Sequence, residues 1–149
     1  MSDAISPTPA PGTGHPALRP QLSLAIPADA EQIANATDAV LACLAGLKVE
    51  EEKCMAIGLA VQEALANAVV HGCQNDVSKT VQCELSCDDQ GRVLIVVADP
   101  GPGFDFSASR KPVVQDVYND HGRGVFLIRQ LMDEVSFERG GSVIQMWKY

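Results

Sequence analysis

The order of strand-like and helix-like patterns constrains the fold of this chain more than any one motif does. Alternating apolar residues predict strands, and apolar residues spaced three and four apart predict helices. The predicted order is a strand over residues 21–26, helices over 29–47 and 50–71, strands over 79–87 and 92–98, a long connection over 105–121, a helix over 124–132, and strands over 134–139 and 142–147. Because the helices are separate from antiparallel hairpins, we expect an α/β fold: a two-layer sandwich whose mostly antiparallel mixed sheet is covered on one face by helices.

Short local signals mark the ends of these elements. Asp29 followed by Gln32 resembles a capping box at the start of the first helix, and Gly72 is a C-terminal stop for the second. Residues 88–91 predict the turn of one hairpin, and Gly140-Gly141 predicts a two-residue turn in another. The sequence therefore contains cap and turn signals at the ends of its predicted helices and strands.

The chain length fits one folded domain with a loose N-terminal tail. A chain of 149 residues buries about two-thirds of the surface that its unfolded form exposes. Residues 1–20 are rich in proline and contain Gly12 and Gly14, with few large apolar groups to offset the entropy of ordering. We expect a disordered tail over 1–20, with a docking peptide as the alternative, and a single domain over 21–149.

Charge and hydropathy exclude two classes of partner. The net charge of -8 and the pI near 4.7 would repel a phosphate backbone, so direct nucleic-acid binding is not expected. No stretch approaches the roughly 20 unbroken apolar residues of a membrane span, so no membrane association is expected either. The expected partner is a protein, or a small anion whose charge is masked by a cation or by backbone N–H groups.

The cysteines and the N-terminus predict a cytoplasmic protein. The chain begins without a positive segment followed by an apolar one, so no secretory signal is predicted. The five cysteines form no CxxC pair and no zinc-like spacing with histidine, which is typical of free thiols in a reducing compartment; they are Cys43, Cys54, Cys73, Cys83 and Cys87.

Glu63 and Asn67 are the first candidate site residues. They are four apart in the predicted second helix, so their side chains lie on the same face. The Asn67 carboxamide offers a neutral oxygen to a hard cation such as Mg²⁺, and Glu63 is placed to accept a proton from an attacking hydroxyl or water. The alternative is two exposed polar residues on a helix.

A glycine-rich segment follows the strand over 92–98. In Asp99-Pro-Gly101-Pro-Gly103-Phe104 the glycines permit positive φ and close approach of a ligand to the backbone. An ionised Asp99 only accepts hydrogen bonds, which suits an exocyclic amino group such as that of adenine. The alternative is an ordinary turn, because Asp, Pro and Gly dominate turns for conformational reasons.

A second glycine segment, Gly122-Arg123-Gly124, precedes the helix predicted over 124–132. Its N–H groups and the helix dipole would point where phosphates can sit, and His121 and Arg123 could neutralise phosphate charge. The preceding connection over 105–121 is long enough to be a lid. The alternative is that His121 and Arg123 are solvated loop residues.

Three further side chains are assigned structural roles. His71 stands near the end of the predicted second helix, where the dipole favours a cation, and a capping or core role is preferred over catalysis. Phe137 and Trp147, on the strands of the last predicted hairpin, are assigned to the core.

Taken together, the three motifs resemble the N, G1 and G2 boxes of the GHKL ATPase superfamily, over about residues 20–149. The segments Glu63-Ala-Leu-Ala-Asn67-Ala-Val-Val-His71-Gly72, Asp99-Pro-Gly101-Pro-Gly103-Phe104 and Gly122-Arg-Gly124-Val-Phe-Leu-Ile-Arg-Gln-Leu-Met-Asp-Glu-Val135 most resemble the anti-sigma factor serine kinases of the RsbW and SpoIIAB type. The C-terminal segment from Gly141 to Lys148 resembles the final strand of that family.

The resemblance implies a Bergerat ATP-binding fold with ATP and Mg²⁺ as cofactors. It implies that Asn67 holds Mg²⁺, that Asp99 reads adenine, that Glu63 is the general base, and that a mobile lid closes over the phosphates. The positions it implies for nucleotide contact are Asn67, His71, Asp99, Gly101, Gly103, Phe104, His121, Gly122, Arg123, Gly124, Val125, Phe126 and Ser142.

The same resemblance implies a partner-switching serine/threonine-protein kinase. The γ-phosphoryl group would pass to a Ser or Thr of an anti-anti-sigma protein with a STAS fold, and a homodimer would sequester a sigma factor or a similar regulator. Two residues depart from the family pattern: Ala66 stands where relatives often carry Thr or Ser, and Ser142 replaces a common Thr. The first removes one hydroxyl contact to the nucleotide, whereas the second keeps a hydroxyl.

Two other functions remain open. A non-catalytic ATP-binding module would use the nucleotide only to set the conformation that binds protein partners. A detached histidine-kinase ATPase domain is disfavoured, because no helical hairpin bearing a phospho-acceptor histidine fits beside the predicted domain.

Overall fold

The computed structural model of the chain describes residues 17–101 and 120–149, and it has the predicted order of elements. The elements are β1 (Arg19–Pro27), α1 (Ala30–Gly46), α2 (Glu51–Asn67), a π-helical turn (Ala68–Gly72), β2 (Thr80–Cys87), β3 (Val93–Ala98), α3 (Asp120–Leu131), β4 (Glu134–Glu138), a 3₁₀ turn (Arg139–Gly141) and β5 (Val143–Lys148). Most of the predicted lid, including residues 105–119, lies outside the described residues.

The strands form one five-stranded sheet in the order β1-β2-β3-β5-β4. Each neighbouring pair is antiparallel, so the described strands contain no parallel pair. β3 pairs with β5 and not with β4, so the chain crosses over β5 between them and returns through the last hairpin. The predicted two-layer α/β sandwich is confirmed, and its described sheet is purely antiparallel where a mixed one was expected.

The three helices pack on one face of this sheet and bury the main hydrophobic core between the layers. The α1 residues Val40 and Leu44 and the α2 residues Val61 and Leu65 are fully buried, and on the sheet side Ile95 of β3 is as well. α2 is the central helix, because it contacts both α1 and α3. Apolar burial of this kind is the main favourable contribution to folding, and it fixes the position of α2 on the sheet.

The central strands are buried on their other face too. Leu94, Val96, Val143 and Trp147 form a smaller apolar cluster there, and Leu18 packs against it. Burial on both faces explains why β3 is a continuous apolar run and does not alternate. Trp147 is 6% exposed, so its assignment to the core is confirmed.

The cap of α1 differs in detail from the predicted capping box. Asp29 is the N-cap, with extended backbone geometry, but its carboxylate accepts a hydrogen bond from the backbone N–H of Glu31 at 3.0 Å. The backbone N–H of Gln32 instead donates to the carbonyl oxygen of Asp29 at 2.9 Å. The acid therefore satisfies one free N–H of the first helical turn without the reciprocal pair.

Asp88 organises the turn between β2 and β3. Its carboxylate accepts hydrogen bonds from the backbone N–H groups of Gln90 and Arg92, both at 2.9 Å, and from Nε of Arg92 at 2.6 Å. Burial of the carboxyl opposes ionisation, but these hydrogen bonds and the Arg92 charge outweigh it and lower the pKa of Asp88. Gly91 completes the turn with a positive φ of 80°.

The turn between β4 and β5 is longer than the predicted two-residue Gly140-Gly141 hairpin. Strand pairing ends at Glu138 and Val143, so four residues connect the strands. Three of these, Arg139, Gly140 and Gly141, have φ values of 52°, 68° and 101°. The prediction was wrong because an arginine in the left-handed region gives no compositional signal.

One helical run, Glu51–Gly72, is long and apolar enough to cross a membrane by length and composition, within the part of the chain that the structure describes. Half of its most apolar window is buried inside the domain. The apolar residues on its buried side are accounted for by packing, because it is the central helix of the layer, whereas Met55, Leu59 and Val70 are exposed.

Candidate nucleotide-binding and catalytic site

The α2 helix places Glu63 and Asn67 beside one cleft, as their spacing predicts. Asn67 is the last residue of α2 and is 9% exposed, while Glu63, one turn earlier, is half-buried. The cleft has a volume of about 510 Å³, within the usual range for a small-molecule site. It lies between α2 and α3 and is lined by Glu63, Ala66, Asn67, Val70, His71, Gly124, Phe126 and Leu127.

Gly124 brings α3 into contact with both polar residues. A Cβ at this position would lie 3.0 Å from Oε2 of Glu63 and 3.5 Å from both Oδ1 and Nδ2 of Asn67. The missing side chain therefore lets the first part of α3 rest directly against the carboxylate and the carboxamide. The next residue, Val125, is fully buried and anchors this end of the helix.

The start of α3 differs from the prediction. The helix begins at Asp120, so His121, Gly122 and Arg123 lie in its first turn and not in a loop before it. The first N–H groups of a helix have no intrahelical partner and stand at the positive end of its dipole. The N–H groups that the sequence predicts to bind an anion therefore belong to a helical turn and not to a loop.

The end of α2 changes geometry beside the site. The Ala68–Gly72 segment forms a π-helical turn, in which the backbone N–H of Cys73 donates to the carbonyl oxygen of Ala68 at 2.8 Å. Such turns occur frequently at functional sites. Here the turn leaves His71 exposed at the cleft and buries Gly72.

The buried Gly72 contacts the carboxylate of Asp99. A Cβ on Gly72 would overlap Cγ and both oxygens of Asp99 and would stand only 2.5 Å from Oδ1. A Cβ on Gly101 would in turn overlap the carbonyl oxygen of Gly72. The three residues are therefore packed against one another without room for a methyl group at either glycine.

Two backbone groups hold Asp99 in place at the end of β3. Its N–H donates to the carbonyl oxygen of Ser142 at 2.9 Å, which continues the pairing of β3 with β5. Its Oδ1 accepts a hydrogen bond from the N–H of Gly101 at 2.7 Å. The hydroxyl of Ser142 donates to the carbonyl oxygen of Arg139 at 3.1 Å, so Ser142 also closes the last hairpin.

Burial is the largest influence on the pKa values of Asp99 and Cys73. It raises the pKa of Asp99, against the opposing effects of the Gly101 hydrogen bond and the Lys79 charge. Burial and the nearby Asp99 carboxylate also raise the pKa of the Cys73 thiol. Cys73 is therefore held as a thiol.

A narrow pocket opens beside Asp99. It is lined by Ala64, Asn67, Ala68, Val97, Asp99, Phe137, Gly141, Ser142 and Ile144. Its volume is about 10 Å³, roughly the space of one water molecule. Its lining is mainly apolar, and Asp99 is the one carboxylate among the residues that line it.

The sequence of this chain matches the profile of a known protein family. The profile of the histidine kinase-like ATPase domain matches residues 26–148, which is most of the chain. The chain belongs to this family. The predicted GHKL-type resemblance is thereby confirmed, and the pocket at Asp99 and the cleft at Asn67 belong to an ATPase domain.

Two curated relatives carry the name serine-protein kinase RsbW. The protein from Staphylococcus epidermidis is 36% identical over 103 residues, covering 61% of this chain and 62% of the relative. The protein from Bacillus subtilis is 31% identical over 99 residues, covering 61% of each chain. The match therefore spans about three-fifths of the length of these relatives.

Two solved structures share the fold. A structure of the RsbU and RsbW domains of a Mycobacterium tuberculosis protein has a TM-score of 0.60 at 20% identity, covering 87% of this chain and 31% of the other. The histidine kinase domain of a blue-light-activated kinase from Erythrobacter litoralis has a TM-score of 0.53 at 20% identity, covering 83% of this chain and 61% of the other. At this identity the likeness concerns the fold alone.

The donor set of the ATPase domain fits a magnesium ion shared with a nucleotide. Among the described residues, no three or more His, Cys, Asp or Glu side chains are grouped to enclose a metal. Mg²⁺ keeps several waters and is often held by one or two protein oxygens together with phosphates. The Asn67 carboxamide at the cleft is a donor of that kind.

The structure also adds residues that the sequence reasoning missed, and leaves two predicted ones aside. Val97 lies two residues before Asp99 on the same face of β3, and its strand partner Ile144 stands beside it, so strand alternation was the available signal. Gly103 and Phe104 lie outside the described residues, and only the backbone of His121, Gly122 and Arg123 is described.

Proposed function

We propose that this ATPase domain is an ATP-dependent serine/threonine-protein kinase that acts as an anti-sigma factor. The observation that carries the proposal is the position of Glu63 and Asn67 against Gly124, in one cleft that adjoins the Asp99 pocket. The printed names of the curated relatives support the same activity.

In this proposal the pocket at Asp99 holds adenine. Oδ1 of Asp99 is engaged by the N–H of Gly101, which leaves Oδ2 to accept a hydrogen bond from the exocyclic amino group of the base. A guanine would present a carbonyl oxygen at that position and would meet a second acceptor. The Ser142 hydroxyl and the segment from Gly101 through Gly103 to Phe104 complete the base site.

The triphosphate then lies in the larger cleft between α2 and α3. The backbone N–H groups of the first turn of α3 face anionic oxygens, and Asn67 would hold a Mg²⁺ ion beside the phosphates. His121 and Arg123 supply positive charge, and the lid that precedes them excludes water. Bound there, the metal would offset the negative charge that develops on the phosphoryl oxygens.

Glu63 is the proposed general base. Its carboxylate accepts the proton of a substrate serine or threonine hydroxyl while that oxygen attacks the γ-phosphorus and the bond to the β-phosphate oxygen breaks. The products are a phosphorylated hydroxyl and ADP. Gly124 supports this role because it leaves the carboxylate space at the edge of the cleft.

The rim of the cleft suits a protein substrate. Val70 and Leu127 line the cleft on α2 and α3 and are 42% and 36% exposed. Apolar side chains at the edge of a catalytic cleft give a folded partner surface to bury around its reactive hydroxyl. We infer a STAS-domain anti-anti-sigma protein as that substrate.

The remaining features of the proposal concern assembly and location. The protein would act in the cytoplasm as a homodimer that sequesters a sigma factor or a similar regulator until the STAS protein replaces it. It would bind neither nucleic acid nor membrane directly, in keeping with its net charge of -8. Sedimentation with and without a sigma factor tests the homodimer and its capture of the partner.

Labelled ATP tests the kinase activity. The protein is incubated with γ-labelled ATP, Mg²⁺ and each STAS protein encoded in the same genome, and phosphoserine or phosphothreonine is measured on the STAS protein. Glu63→Gln should abolish transfer while ADP binding stays within about twofold of wild type, because only the base is altered. Asp99→Ala should abolish nucleotide binding itself.

The result also separates the kinase from a non-catalytic module. If wild-type protein binds ATP but phosphorylates none of the STAS proteins, and Glu63→Ala regulates normally in cells, the ATP-binding module is the better description. Phosphohistidine on a partner would instead indicate a histidine-kinase ATPase domain.

A further inference from the structure

The face of the sheet that points away from the helices, the outer face, is apolar and nearly closed to water. An antiparallel sheet commonly packs one face on the core and leaves the other in water. Here Leu94 and Val96 of β3 are 1% and 2% exposed, and Trp147 of β5 is 6% exposed. Ser86 of β2, the strand partner of Leu94, is buried as well. Burial of this kind requires a layer of atoms over the outer face.

An acidic side chain on β2 supports the presence of this layer. Glu84 is the strand partner of Val96 and is half-buried. Its side chain lies on the outer face, because side chains alternate along a strand and the adjacent Cys83 and Leu85 belong to the main core. Burial raises the pKa of the Glu84 carboxyl. The layer therefore extends over β2 as well as over β3 and β5.

The N-terminal part of the chain meets the outer face. Leu18, the residue before β1, packs against the apolar cluster that contains Trp147. One row of paired residues runs across the sheet from Pro20 of β1 to Trp147 of β5. Neighbouring strands are about 4.8 Å apart, so three spacings separate the ends of this row by about 14 Å. Four or five extended residues span that distance, and residues 1–16 are therefore long enough to cross the outer face.

The other segment outside the described residues, 102–119, starts and ends on the opposite side of the sheet. It follows Gly101, which packs against the backbone of Gly72 at the end of the π-helical turn. It precedes α3, which packs against α2 in the helical layer. A path from either of its ends to the outer face would have to pass round an edge of the sheet. The N-terminal segment is therefore the better source of the cover.

The composition of residues 1–16 suits an apolar surface that contains an indole ring. Prolines alternate with small residues in Pro7-Thr-Pro-Ala-Pro11, and the ionisable side chains of the segment are Asp3 and His15. Proline-rich segments favour the polyproline II helix, which has no internal hydrogen bonds and is already ordered before it docks. Grooves lined by aromatic rings recognise such segments, and Trp147 supplies a ring of that kind. Few charges have to leave water when this segment covers the outer face.

We propose that residues 1–16 form an intramolecular strap across the outer face, with the prolines of residues 7–11 packed on Trp147 and its apolar neighbours. The outer face is thus a recognition surface for a proline-rich segment, and the chain's own N-terminal part occupies it. The strap prevents an apolar surface from binding a second copy of the chain. The proposal does not depend on the ATP site, because the cleft and the pocket lie on the helical side of the sheet.

Tryptophan fluorescence tests the strap, because Trp147 is the only tryptophan of the chain. Removal of residues 1–16 should shift its emission to longer wavelength and raise the acrylamide quenching constant by about twofold or more, since one face of the indole becomes open to water. A synthetic peptide of residues 1–16, added to the truncated protein, should reverse both changes. The same peptide with alanine at its first three proline positions should bind about 10-fold or more weakly, because each proline reduces the entropy that is lost on docking.

Two variants of the full chain give the same information without truncation. The triple variant Pro7→Ala, Pro9→Ala, Pro11→Ala should increase the quenching of Trp147 in the direction of the truncated protein. The matched control Thr8→Ala, Thr13→Ala changes the same segment but keeps every proline, and should have the emission and quenching of wild type. Far-UV circular dichroism checks that each protein is folded, and the full-length pair decides the question if the truncated chain does not fold.

Three outcomes would overturn the proposal. Unchanged emission and quenching in the folded truncated protein would mean that another part of the chain covers Trp147. Equal quenching in the triple variant and its control would mean that the prolines do not contact the outer face. Sedimentation of the full chain as a dimer, with quenching that rises on dilution, would mean that a second copy covers this face.

Discussion

Replacing Gly72 by alanine tests whether the position of Asp99 depends on the absence of a side chain at the last residue of the π-helical turn. Gly72 does not have a positive φ, so alanine meets no backbone strain there. The new methyl group would instead overlap the carboxylate of Asp99. The substitution therefore displaces Asp99 without altering the chemistry of any side chain in the site.

The expected magnitudes follow from the contacts that are lost. A displaced Asp99 gives up its 2.7 Å hydrogen bond from Gly101 and its alignment with the base. A hydrogen bond to a charged group contributes about 1.5–3 kcal/mol, so ADP affinity should fall by roughly 10- to 150-fold. Overpacking costs about 1–3 kcal/mol of unfolding free energy, partly offset by the gain of about 0.5–1 kcal/mol when alanine replaces glycine in a helix.

Calorimetric titration with ADP and urea denaturation measure the two effects, and Gly46→Ala is the control. Gly46 is the last residue of α1, and a Cβ there would meet no atom within 4 Å. That variant should bind ADP like wild type and be equally or slightly more stable. In an Asp99→Ala background the carboxylate is absent, so Gly72→Ala should then cost little or no stability.

Wild-type ADP affinity and stability in Gly72→Ala would refute the reasoning. It would mean that Asp99 can shift by an ångström without losing the base, and that the close packing of Gly72, Asp99 and Gly101 is not what positions the carboxylate. A stability loss of equal size in the wild-type and Asp99→Ala backgrounds would also contradict it, because the cost would then arise elsewhere.

Three further substitutions have defined outcomes. Burial raises the pKa of Asp99, so the stability that this group contributes is fully present below its unfolded pKa and is lost as pH rises through its folded pKa and the carboxyl ionises. Asp99→Asn should therefore raise Tm at pH 7 by at most about 4 °C, with a smaller difference at pH 3.5. Its ADP affinity should fall at least about 10-fold. Gly124→Ala should lower kcat about 10-fold with little change in ADP affinity or Tm, because its Cβ would press on Glu63; an unchanged kcat in the phosphotransfer assay would contradict this. Asp88→Asn should lower the free energy of unfolding by about 1–3 kcal/mol in urea denaturation at pH 7, because the Arg92 pair is lost. Since the pKa of Asp88 is lowered, this difference should shrink as pH falls below about 4. A difference independent of pH would count against this explanation.

The sequence predicted the elements of the fold because their signals are local. The alternation of Leu22, Leu24 and Ile26 and the helical spacing around Glu63 and Asn67 are read within a few residues, and the structure has a strand and a helix there. The pairing of β3 with β5 is different, since it joins residues more than forty apart in the chain. No local pattern indicates that the carbonyl oxygen of Ser142 accepts from Asp99.

The predicted boundaries of helices were wrong where tertiary contacts determine the observed ones. The residues from Asp120 to Arg123 have no apolar periodicity, and the sequence gives no reason to extend α3 over them. α3 packs against α2 in the fold, with Gly124 touching Glu63 and Val125 fully buried, and a helix anchored there extends backwards by one turn. The N-terminus of α3 therefore lies one turn before Gly124, which borders the cleft.

Glycine is needed at the motif positions for a different physical reason from the one that the sequence context suggests. Gly101 was expected to permit a positive φ or the approach of a ligand, but the described glycines with positive φ are Gly91, Gly140 and Gly141, all in hairpin turns. At Gly72, Gly101 and Gly124, the space freed by the missing Cβ is occupied by the protein's own carboxylates, carboxamide and backbone. A turn glycine is replaceable by a residue that tolerates the left-handed region, whereas alanine at a packing glycine presses on the group that occupies the freed space. Conformational preference alone therefore underestimates what these motif glycines contribute to the site.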